Sequence, residues 1–437
     1  MKKFNLYLIA LCFSFAFTAC NSQVGQEQEK QEASSADSVR VKAYPLVDIP
    51  LIDTFAEIAV FEGGFSGLSS IPGKADYFYT INDRGPNVKA DKHPKSQGKD
   101  AKLFPFQDYE QKIIRIKKED GIFKVDGSYP IQLADGRRFS GLAPDLPNVK
   151  SKELIWGGEA LDTLEPHPLG VDLEGIAIDQ SGFIWICEEY RPAIFKLSPK
   201  TFDLTAVYSP QFTDIADHTF LDSVLLYRRP NRGFEGITVT PEGKIVAVLQ
   251  SPLQFPDAKK TRLLRILSLE PRTGESEWFF YEMEAPKGDL KQKNWKVGSI
   301  AAINENEFLL LEHGAKKKTN LKYITKINLA EATPVPAFSI DIYEKAMNAK
   351  GLQEEFGVKT VEKTLFLDLK DYGWDEALEK AEGLTIINDS TILVINDNDY
   401  ALSSPQKDGT VVDTEDPTML YKIHLPKEKR LQYRPIL

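Results

Sequence analysis

Three glutamates occupy the same place in a motif that recurs along the sequence. Glu174, Glu235 and Glu382 each precede a glycine and a short apolar run. A second apolar run follows a turn in each copy and ends on carboxylates or amides, namely Glu188 and Glu189, Gln250, and Asn396 and Asp397. Carboxylates that crowd together repel one another unless a cation lies between them. An all-oxygen ligand set favours a hard cation over zinc, and a roomy site of about six to eight oxygens favours Ca²⁺ over Mg²⁺.

Two further copies of the motif lack the glutamate. One copy, at residues 65–83, has Ser66 at that position and ends on Asn82 and Asp83. The other begins at Val297 and Gly298 and leads to Glu312. The predicted site is therefore asymmetric. Its candidate metal ligands are Glu174, Glu235, Glu382 and Asp397, and its candidate catalytic carboxylates are Asp83 and Glu189.

Arginine stands close to three of these candidate residues, as Arg84, Arg191 and Arg232. An arginine can hold a carboxylate or a phosphate through two parallel hydrogen bonds. The three arginines are therefore candidate binding residues for the anionic part of a substrate. The alternative is that each arginine neutralises the neighbouring acids, and that each glutamate only accepts backbone N–H bonds beside a glycine required for a tight turn.

Other familiar catalytic patterns are absent from the sequence, which contains no G-x-S-x-G, H-E-x-x-H or C-x-x-C and no glycine-rich phosphate loop. Asp397 and Asp399 begin an EF-hand-like spacing, but Leu402 stands where that loop requires glycine. Only His313 among the histidines follows a second apolar run, which makes it a secondary candidate for proton transfer. Cys187 lies inside an apolar run without a nearby activating base, so we predict a buried apolar role.

The elements that must position these residues are β-hairpins, because two short apolar runs flank a turn in each copy of the motif. A third apolar run follows in most copies, for example at residues 263–267. Meanders of three or four strands repeated around a ring form a β-propeller, so we predict an all-β fold. The start of the first strand and the end of the second lie at the same end of an antiparallel hairpin. The candidate residues would then converge on one mouth of the central tunnel.

The length of the chain sets the expected number of blades. Six blades of about 65 residues fit residues 45–437, although compact blades need only about 40 to 50, and seven blades are the alternative. Long loops between strands must hold the excess. We place them at residues 86–102 and 135–168, with a helix-like insertion at 342–381.

The N-terminal residues have the features of a bacterial secretory signal. Lys2 and Lys3 precede an apolar run at residues 6–17, which is too short to span a membrane as a helix. Cys20 after the small residue Ala19 resembles the lipobox of bacterial lipoproteins, in which that cysteine becomes the lipidated N-terminus. We therefore predict a signal peptide at 1–19, a flexible tether at 20–44 and one domain at 45–437. The expected location is the cell envelope, with a lipid anchor in the membrane after export across the inner membrane; secretion without the anchor is the alternative.

Composition narrows the remaining classes. The 437 residues are 42% hydrophobic and include only 3 cysteines, which excludes a disordered chain and a disulfide scaffold. A formal net charge of -10 argues against a nucleic-acid partner, because binding to a phosphate backbone needs clustered lysine and arginine. We expect a monomer.

Four motifs taken in order resemble the phytase-like β-propeller family, which is described as having esterase-like activity. They pair Phe65-Ser66-Gly67-Leu68 with Asn82-Asp83-Arg84-Gly85-Pro86, Asp172-Leu173-Glu174-Gly175-Ile176 with Glu188-Glu189-Tyr190-Arg191-Pro192, Asn231-Arg232-Gly233-Phe234-Glu235-Gly236 with Leu249-Gln250-Ser251-Pro252-Leu253, and Glu382-Gly383-Leu384 with Asn396-Asp397-Asn398-Asp399. The resemblance implies a secreted propeller of the broad group that includes calcium-dependent phytases and lactonases.

These observations lead to a functional hypothesis with two alternatives. The hypothesis is a cell-envelope hydrolase that uses Ca²⁺ to cleave a small anionic ester or phosphoester. The alternatives are a lactonase-type hydrolase and a binding module without enzymatic activity, whose calcium is structural.

Overall fold

The computed structural model describes residues 38–145, 153–211, 213–255, 261–335, 343–375, 380–403 and 410–436. The predicted signal peptide, Cys20 and most of the predicted tether lie outside the described residues. No helix within these ranges is long and apolar enough to cross a membrane.

Strands dominate the described residues. The strands β1 to β27 span, in chain order, Arg40–Val47, Leu51–Phe55, Ile58–Phe61, Phe65–Ile71, Lys74–Asn82, Val88–Lys89, Ala101–Phe104, Lys112–Glu119, Ile122–Pro130, Leu154–Gly157, Asp162–Thr163, Leu173–Ile178, Ile184–Glu188, Ala193–Leu197, Leu204–Ser209, Asp217–Phe220, Phe234–Val239, Ile245–Leu249, Leu263–Leu269, Ser276–Glu282, Trp295–Ala302, Glu307–Lys316, Thr319–Asn328, Glu362–Asp368, Lys380–Asn388, Thr391–Asp397 and Met419–His424. Within the described ranges there is one α-helix, α1, at Ala349–Phe356. Short 3-10 helices lie at Pro94–Ser96, Ser223–Tyr227, Gln292–Asn294, Tyr343–Lys345, Leu369–Tyr372, Asp399–Ala401 and Lys427–Lys429.

Five antiparallel meanders form the body of the protein, and we number them as blades from the first to the fifth. They are β4-β5-β8-β9, β12-β13-β14-β15, β17-β18-β19-β20, β21-β22-β23-β24 and β25-β26-β27-β1, with β16 added at the edge of the second. The inner strands β4, β12, β17, β21 and β25 contact one another in this order, and β25 contacts β4 again. This closed ring is a β-propeller, as predicted.

The described residues contain five blades of this kind, not the six expected from length. Each of the five motif copies forms one blade. The excess length lies in the two predicted loops at 86–102 and 135–168, which contribute the strands of a separate sheet, β6, β7, β10 and β11. We call this sheet the side sheet. It packs through Val88, Leu103 and Trp156 against the hairpin formed by β2 and β3. The expectation of six blades is too high because it assigns these residues to blades.

The N-terminal strand closes the ring. Residues 40–45 of β1 pair antiparallel with residues 419–424 of β27 and form the outer strand of the fifth blade. The predicted boundary between tether and domain at residue 45 therefore comes too late, because five residues of the predicted tether belong to this strand. The described part of the predicted helical insertion contains α1, capped by the Asn348 side chain, together with the outer strand β24 and two 3-10 helices. Residues 342 and 376–379 of the insertion lie outside the described residues. Leu352 of α1 packs into the core between the second and third blades.

Glycine recurs on the inner strands because neighbouring blades approach closely there. A Cβ atom at Gly67 would lie 2.7 Å from the Ile176 nitrogen, and one at Gly236 would lie 2.9 Å from the Ile300 nitrogen. Backbone atoms cannot move away as a side chain can. The tight-turn explanation of these glycines is therefore wrong, and the fourth blade has Ser299 at the same position.

Candidate functional site

A β-bulge near the start of every inner strand sets the geometry of the tunnel mouth. At this end of each blade, the pairing between the first two strands shifts register by one residue, and the bulged residues are Ser66, Glu174, Glu235, Gly298 and Glu382. The residue before each bulge pairs with Asn82, Glu188, Leu249, Glu312 or Asn396 of the second strand. The residues that come next in the chain are Asp83, Glu189, Gln250, His313 and Asp397. The expected pairing of these positions at one end of each hairpin is confirmed. In the fourth blade, Gly298 and not Val297 occupies the glutamate position, because Val297 pairs with Glu312 as Leu173 pairs with Glu188.

Three carboxylates of the second blade form a cluster at this mouth, and we call it the carboxylate cluster. Asp172, Glu174 and Glu189 each place an oxygen within 4.8 Å of the other two. Their exposed fractions are 2%, 9% and 0%. Neither oxygen of Glu189 has a hydrogen-bond partner among the described residues. Burial and the neighbouring carboxylates raise the pKa of Glu189 to about 7 and that of Glu174 well above its usual value.

The glutamate of the third blade lies next to this cluster. The Gln250 amide donates a hydrogen bond of 2.7 Å to one oxygen of Glu235, and the other oxygen has no partner among the described residues. Burial, followed by the charge of Glu189, raises the pKa of Glu235 well above its usual value. Glu235 therefore adds a fourth buried carboxylate to the same side of the mouth.

The fifth blade carries acids that have cationic or imidazole neighbours. Lys380 forms ion pairs with Asp397 and, at 2.6 Å, with Asp399. Glu382 lies 3.5 Å from the His313 ring, and burial raises the pKa of Glu382 to about 8. Burial and nearby cations lower the pKa of His313 well below its usual value, so this ring is neutral at neutral pH. Asp397, a predicted metal ligand, is thus neutralised by lysine.

The three predicted arginines have three different environments. Arg84 is buried and donates to Asp172 at 2.9 Å and to Glu153 at 3.0 Å, as the counter-ion alternative expected. Arg191 donates instead to backbone carbonyls of the loop at 168–170. Arg232 donates to the Ser251 hydroxyl at 2.8 Å.

Of the remaining residues named from the sequence, Asp83 lies at the mouth, Glu188 binds the backbone of the following turn, and Cys187 lies in the core. Asp83 is partly exposed and accepts a hydrogen bond of 3.1 Å from the Gly85 amide. Burial, Asp397 and Asp172 raise the pKa of Asp83 well above its usual value. Glu188 accepts the backbone N–H bonds of residues 190 and 191, so its role is structural. Cys187 is fully buried, as predicted.

The residues of the carboxylate cluster fit a hard divalent cation. Buried carboxylates without donors are costly, and a cation would satisfy their free oxygens. Asp172, Glu174 and Glu189 could hold such an ion, with Glu235 beside them. The sequence-based candidates Glu382 and Asp397 lie on the opposite side of the ring, where lysine and histidine accompany them.

Sequence reasoning missed one position of the motif. The residue two places before the bulged residue is Asp172, Lys296 and Lys380 in the second, fourth and fifth blades. Its regular spacing from the bulge was the signal that could have revealed it.

Two large clefts lie elsewhere on the surface. Clefts of about 600 Å³ and 390 Å³ flank the segment at residues 105–110 and are lined by Tyr109 among others. Neither includes a residue of the tunnel-mouth positions. We place the candidate site at the mouth because Glu189, Glu235 and Glu382 each have a buried oxygen there that lacks a partner among the described residues.

Comparison with known proteins identifies relatives of the chain. A family model described as "Phytase-like: Esterase-like activity of phytase" matches residues 61–400. A protein of Arthroderma benhamiae, described as an uncharacterized secreted protein, is 29% identical over 22% of this chain and 22% of its own. The chain thus spans about a fifth of the length of the curated relative it matches.

Solved structures with a related chain path include three enzymes. A virginiamycin B lyase from Staphylococcus aureus is 13% identical, with a TM-score of 0.32, and the match covers 89% of this chain and 100% of the other. A GH130-family protein is 11% identical, with a TM-score of 0.41 and coverage of 92% and 97%. A gluconolactonase from Xanthomonas campestris is 8% identical, with a TM-score of 0.31 and coverage of 88% and 98%. Because these scores are low, the assignment of the fold rests on the sheet topology of the protein itself.

Proposed function

The chain belongs to the phytase-like family, whose description is the esterase-like activity of phytase, and we propose that it is a calcium-dependent hydrolase of small anionic esters or phosphoesters. Family membership supports a hydrolase-type function. The tunnel mouth is the proposed site, and calcium the proposed cofactor.

The carboxylate cluster is the observation that supports this proposal most directly. Glu189 is fully buried, both of its oxygens lack a hydrogen-bond donor among the described residues, and two further carboxylates lie within 4.8 Å. A protein gains nothing in stability from such a group unless a ligand binds it. We therefore assign Asp172, Glu174 and Glu189 as the residues that would hold the ion.

The residues around the cluster have distinct proposed roles. Calcium, when bound, polarises a substrate oxygen and lowers the pKa of an attacking water. Arg84 orients Asp172 through their hydrogen bond of 2.9 Å. Gln250 orients Glu235 in the same way at 2.7 Å. Asp83 is partly exposed and has a raised pKa, so it can retain a proton at its carboxyl group and donate that proton to a leaving oxygen.

Export and lipid anchoring through Cys20 complete the proposal. The match to a protein described as secreted supports export, and the sequence around Cys20 supports the anchor. The proposed substrate would then be met outside the inner membrane.

A substrate panel tests the proposed function. Full-length protein is assayed with carboxylic esters, lactones and phosphomonoesters in the presence of Ca²⁺, of EDTA, and of EDTA followed by Ca²⁺. We expect turnover of at least one class, loss of turnover in EDTA, and recovery with Ca²⁺. Glu174→Gln should lower turnover by about 100-fold or more, because it removes a ligand of the ion.

Glu277→Gln is the matched control, since this exposed residue of β20 carries the same charge far from the mouth. It should leave turnover unchanged. Absence of turnover for every substrate, together with stabilisation by Ca²⁺, would refute the hydrolase and favour a binding module with a structural ion. Turnover that is insensitive to EDTA would refute the calcium dependence.

A further inference from the structure

One position of the blade motif places an acid on one side of the tunnel mouth and lysines on the other side. The residues two places before the bulge are, in blade order, Gly64, Asp172, Gly233, Lys296 and Lys380. Asp172 belongs to the carboxylate cluster of the second blade. The two lysines belong to the fourth and fifth blades, on the other side of the ring.

The two lysines differ in what faces them. Lys380 pairs in register with Asp397, and its ammonium group bonds to Asp397 and Asp399. Lys296 pairs in register with His313 instead. That neutral ring supplies no counter-charge. The Lys296 side chain is partly exposed and makes no hydrogen bond or ion pair with another residue within the described ranges.

The bulged residue of the fourth blade is glycine, and the fifth blade lies too close to it for a side chain. A Cβ atom at Gly298 would lie 3.0 Å from a carboxylate oxygen of Glu382 and 2.7 Å from the Ala381 carbonyl oxygen. A glutamate like those of the second and third blades would therefore collide with the fifth blade. The same glycine removes the acid that would otherwise neutralise Lys296.

The charge of Lys296 acts on acids of three blades. Its ammonium group lowers the pKa of Glu189, Glu235 and Glu382, although burial outweighs this effect in each case. A cation that acts on the second, third and fifth blades faces into the mouth rather than outward. It lies across the mouth from the carboxylate cluster.

We infer that Lys296 binds the phosphoryl group of a phosphomonoester substrate, on the side of the mouth opposite the cation held by the carboxylate cluster. This inference rests on the proposed function and narrows its substrate class. A phosphomonoester dianion offers one anionic oxygen to the metal ion and another to the lysine. A neutral carboxylic ester or lactone would cover Lys296 without supplying a charge to pair with it.

The reaction balances with water as the only co-reactant. The water oxygen forms a bond to phosphorus, and the bond between phosphorus and the ester oxygen breaks. The leaving oxygen takes up a proton, and the products are the alcohol and inorganic phosphate. Inorganic phosphate is therefore both the product and a direct probe of the subsite.

Binding of inorganic phosphate tests the inference without relying on turnover. Calorimetric titrations use the full-length, calcium-loaded protein as wild type, Lys296→Met, Lys296→Arg and Lys350→Met. We expect Lys296→Met to weaken phosphate binding by about tenfold or more, because a single close charge contact is lost. Lys296→Arg should retain binding. Lys350→Met, on the exposed face of α1, carries the same charge change away from the site and should bind as the wild type does.

Several outcomes would overturn the inference. It is wrong if wild-type protein does not bind phosphate, or if Lys296→Met binds phosphate as tightly as wild type does. The first of these outcomes decides the matter even if Lys296→Met fails to fold. Lys296→Arg keeps the charge and gives a second folded variant, and loss of binding in a folded Lys296→Arg protein would also count against the inference.

Turnover separates this inference from the proposed function. If phosphomonoesters are hydrolysed and Lys296→Met lowers their kcat/KM about tenfold or more, both stand. If carboxylic esters or lactones alone are hydrolysed, and equally well by Lys296→Met, the hydrolase stands and the phosphate subsite fails. If nothing is hydrolysed but phosphate binding depends on Lys296, the subsite stands and the hydrolase fails.

Discussion

Replacement of Glu189 by glutamine should stabilise the cation-free protein at alkaline pH. Glu189 is fully buried, its oxygens have no donor within the part of the chain that the structure describes, and its pKa is raised from 4.5 to about 7. The folded protein therefore holds a proton there more tightly than the unfolded chain does. Stability is highest below the unfolded pKa and falls as pH rises through the folded pKa.

The size of the effect follows from the pKa shift. At about 1.4 kcal/mol for each pKa unit, a rise from 4.5 to about 7 corresponds to a loss of about 3 kcal/mol between about pH 5 and pH 8. Glutamine does not titrate, so Glu189→Gln should lack this loss. We expect the variant and the wild type to be similar at about pH 5, and the variant to be about 3 kcal/mol more stable at about pH 8.

Urea unfolding in EDTA, followed by tryptophan fluorescence, measures the difference. Glu307→Gln is the matched control, because Lys326 lies 2.5 Å from Glu307 and the pKa of Glu307 is lowered. The stability supplied by that ion pair is already present at about pH 5, so the control should be less stable than wild type by a constant amount up to about pH 8. If the free energy of unfolding of Glu189→Gln and of wild type depended equally on pH in EDTA, burial would not disfavour the ionised form of Glu189, and the prediction would be wrong.

Addition of Ca²⁺ should make the wild type more stable than Glu189→Gln at about pH 8. An ion at about 100 times its Kd stabilises the folded state by about 2.7 kcal/mol. Wild type should gain this stability at about pH 8, where its carboxylates are ionised. Glu189→Gln has lost a proposed ligand and should gain less. A larger gain in the variant than in wild type would contradict the assignment of Glu189 to the ion.

Two further predictions concern the scaffold. Gly236→Ala should destabilise the protein by about 1–3 kcal/mol in urea unfolding, because the new Cβ would lie 2.9 Å from a backbone nitrogen. Gly351→Ala in α1 is the control: its Cβ meets nothing nearer than 3.6 Å, so the variant should be neutral or more stable by up to about 1 kcal/mol. Equal losses of stability in both variants would refute the close-approach explanation. Cys187 is fully buried, and its pKa is raised well above the usual value. It should therefore resist iodoacetamide in the folded protein and react only on unfolding, as measured by peptide mass spectrometry. Rapid labelling of Cys187 in the folded protein would refute its buried role.

The hairpins and the end at which their polar residues meet could be predicted because they depend on short-range pattern. Apolar runs around a turn define each hairpin, and strand pairing then brings Glu174 and Glu189 to the same end. The number of blades could not be predicted from length. Residues 86–102 and 135–168 have no pattern that distinguishes a long loop from the strands of the side sheet, whose partners are distant in sequence.

The chemistry of individual site residues was harder to predict than their location. Arg84 and Arg191 stand in similar motifs, yet one neutralises Asp172 and the other binds loop carbonyls. Asp397 looked like a free ligand, but Lys380 pairs with it. The bond from Arg84 to Asp172 joins two blades, so the order of residues within one hairpin does not contain it. Lys380 and Asp397 lie in one hairpin, but their register depends on the bulge at Glu382.

The blades that depart from the repeat give the tunnel mouth its direction. Five identical blades would give a mouth with the same charge in every direction, which suits a cation but not an asymmetric substrate bound beside it. The second blade concentrates carboxylates through Asp172 and Glu189. The fourth blade reverses the charge, because Gly298 removes the acid, His313 is neutral and the Lys296 side chain has no ion-pair partner among the described residues. Repetition of the hairpin positions the groups, and the two exceptional blades make one side of the mouth suited to a metal ion and the other to an anion.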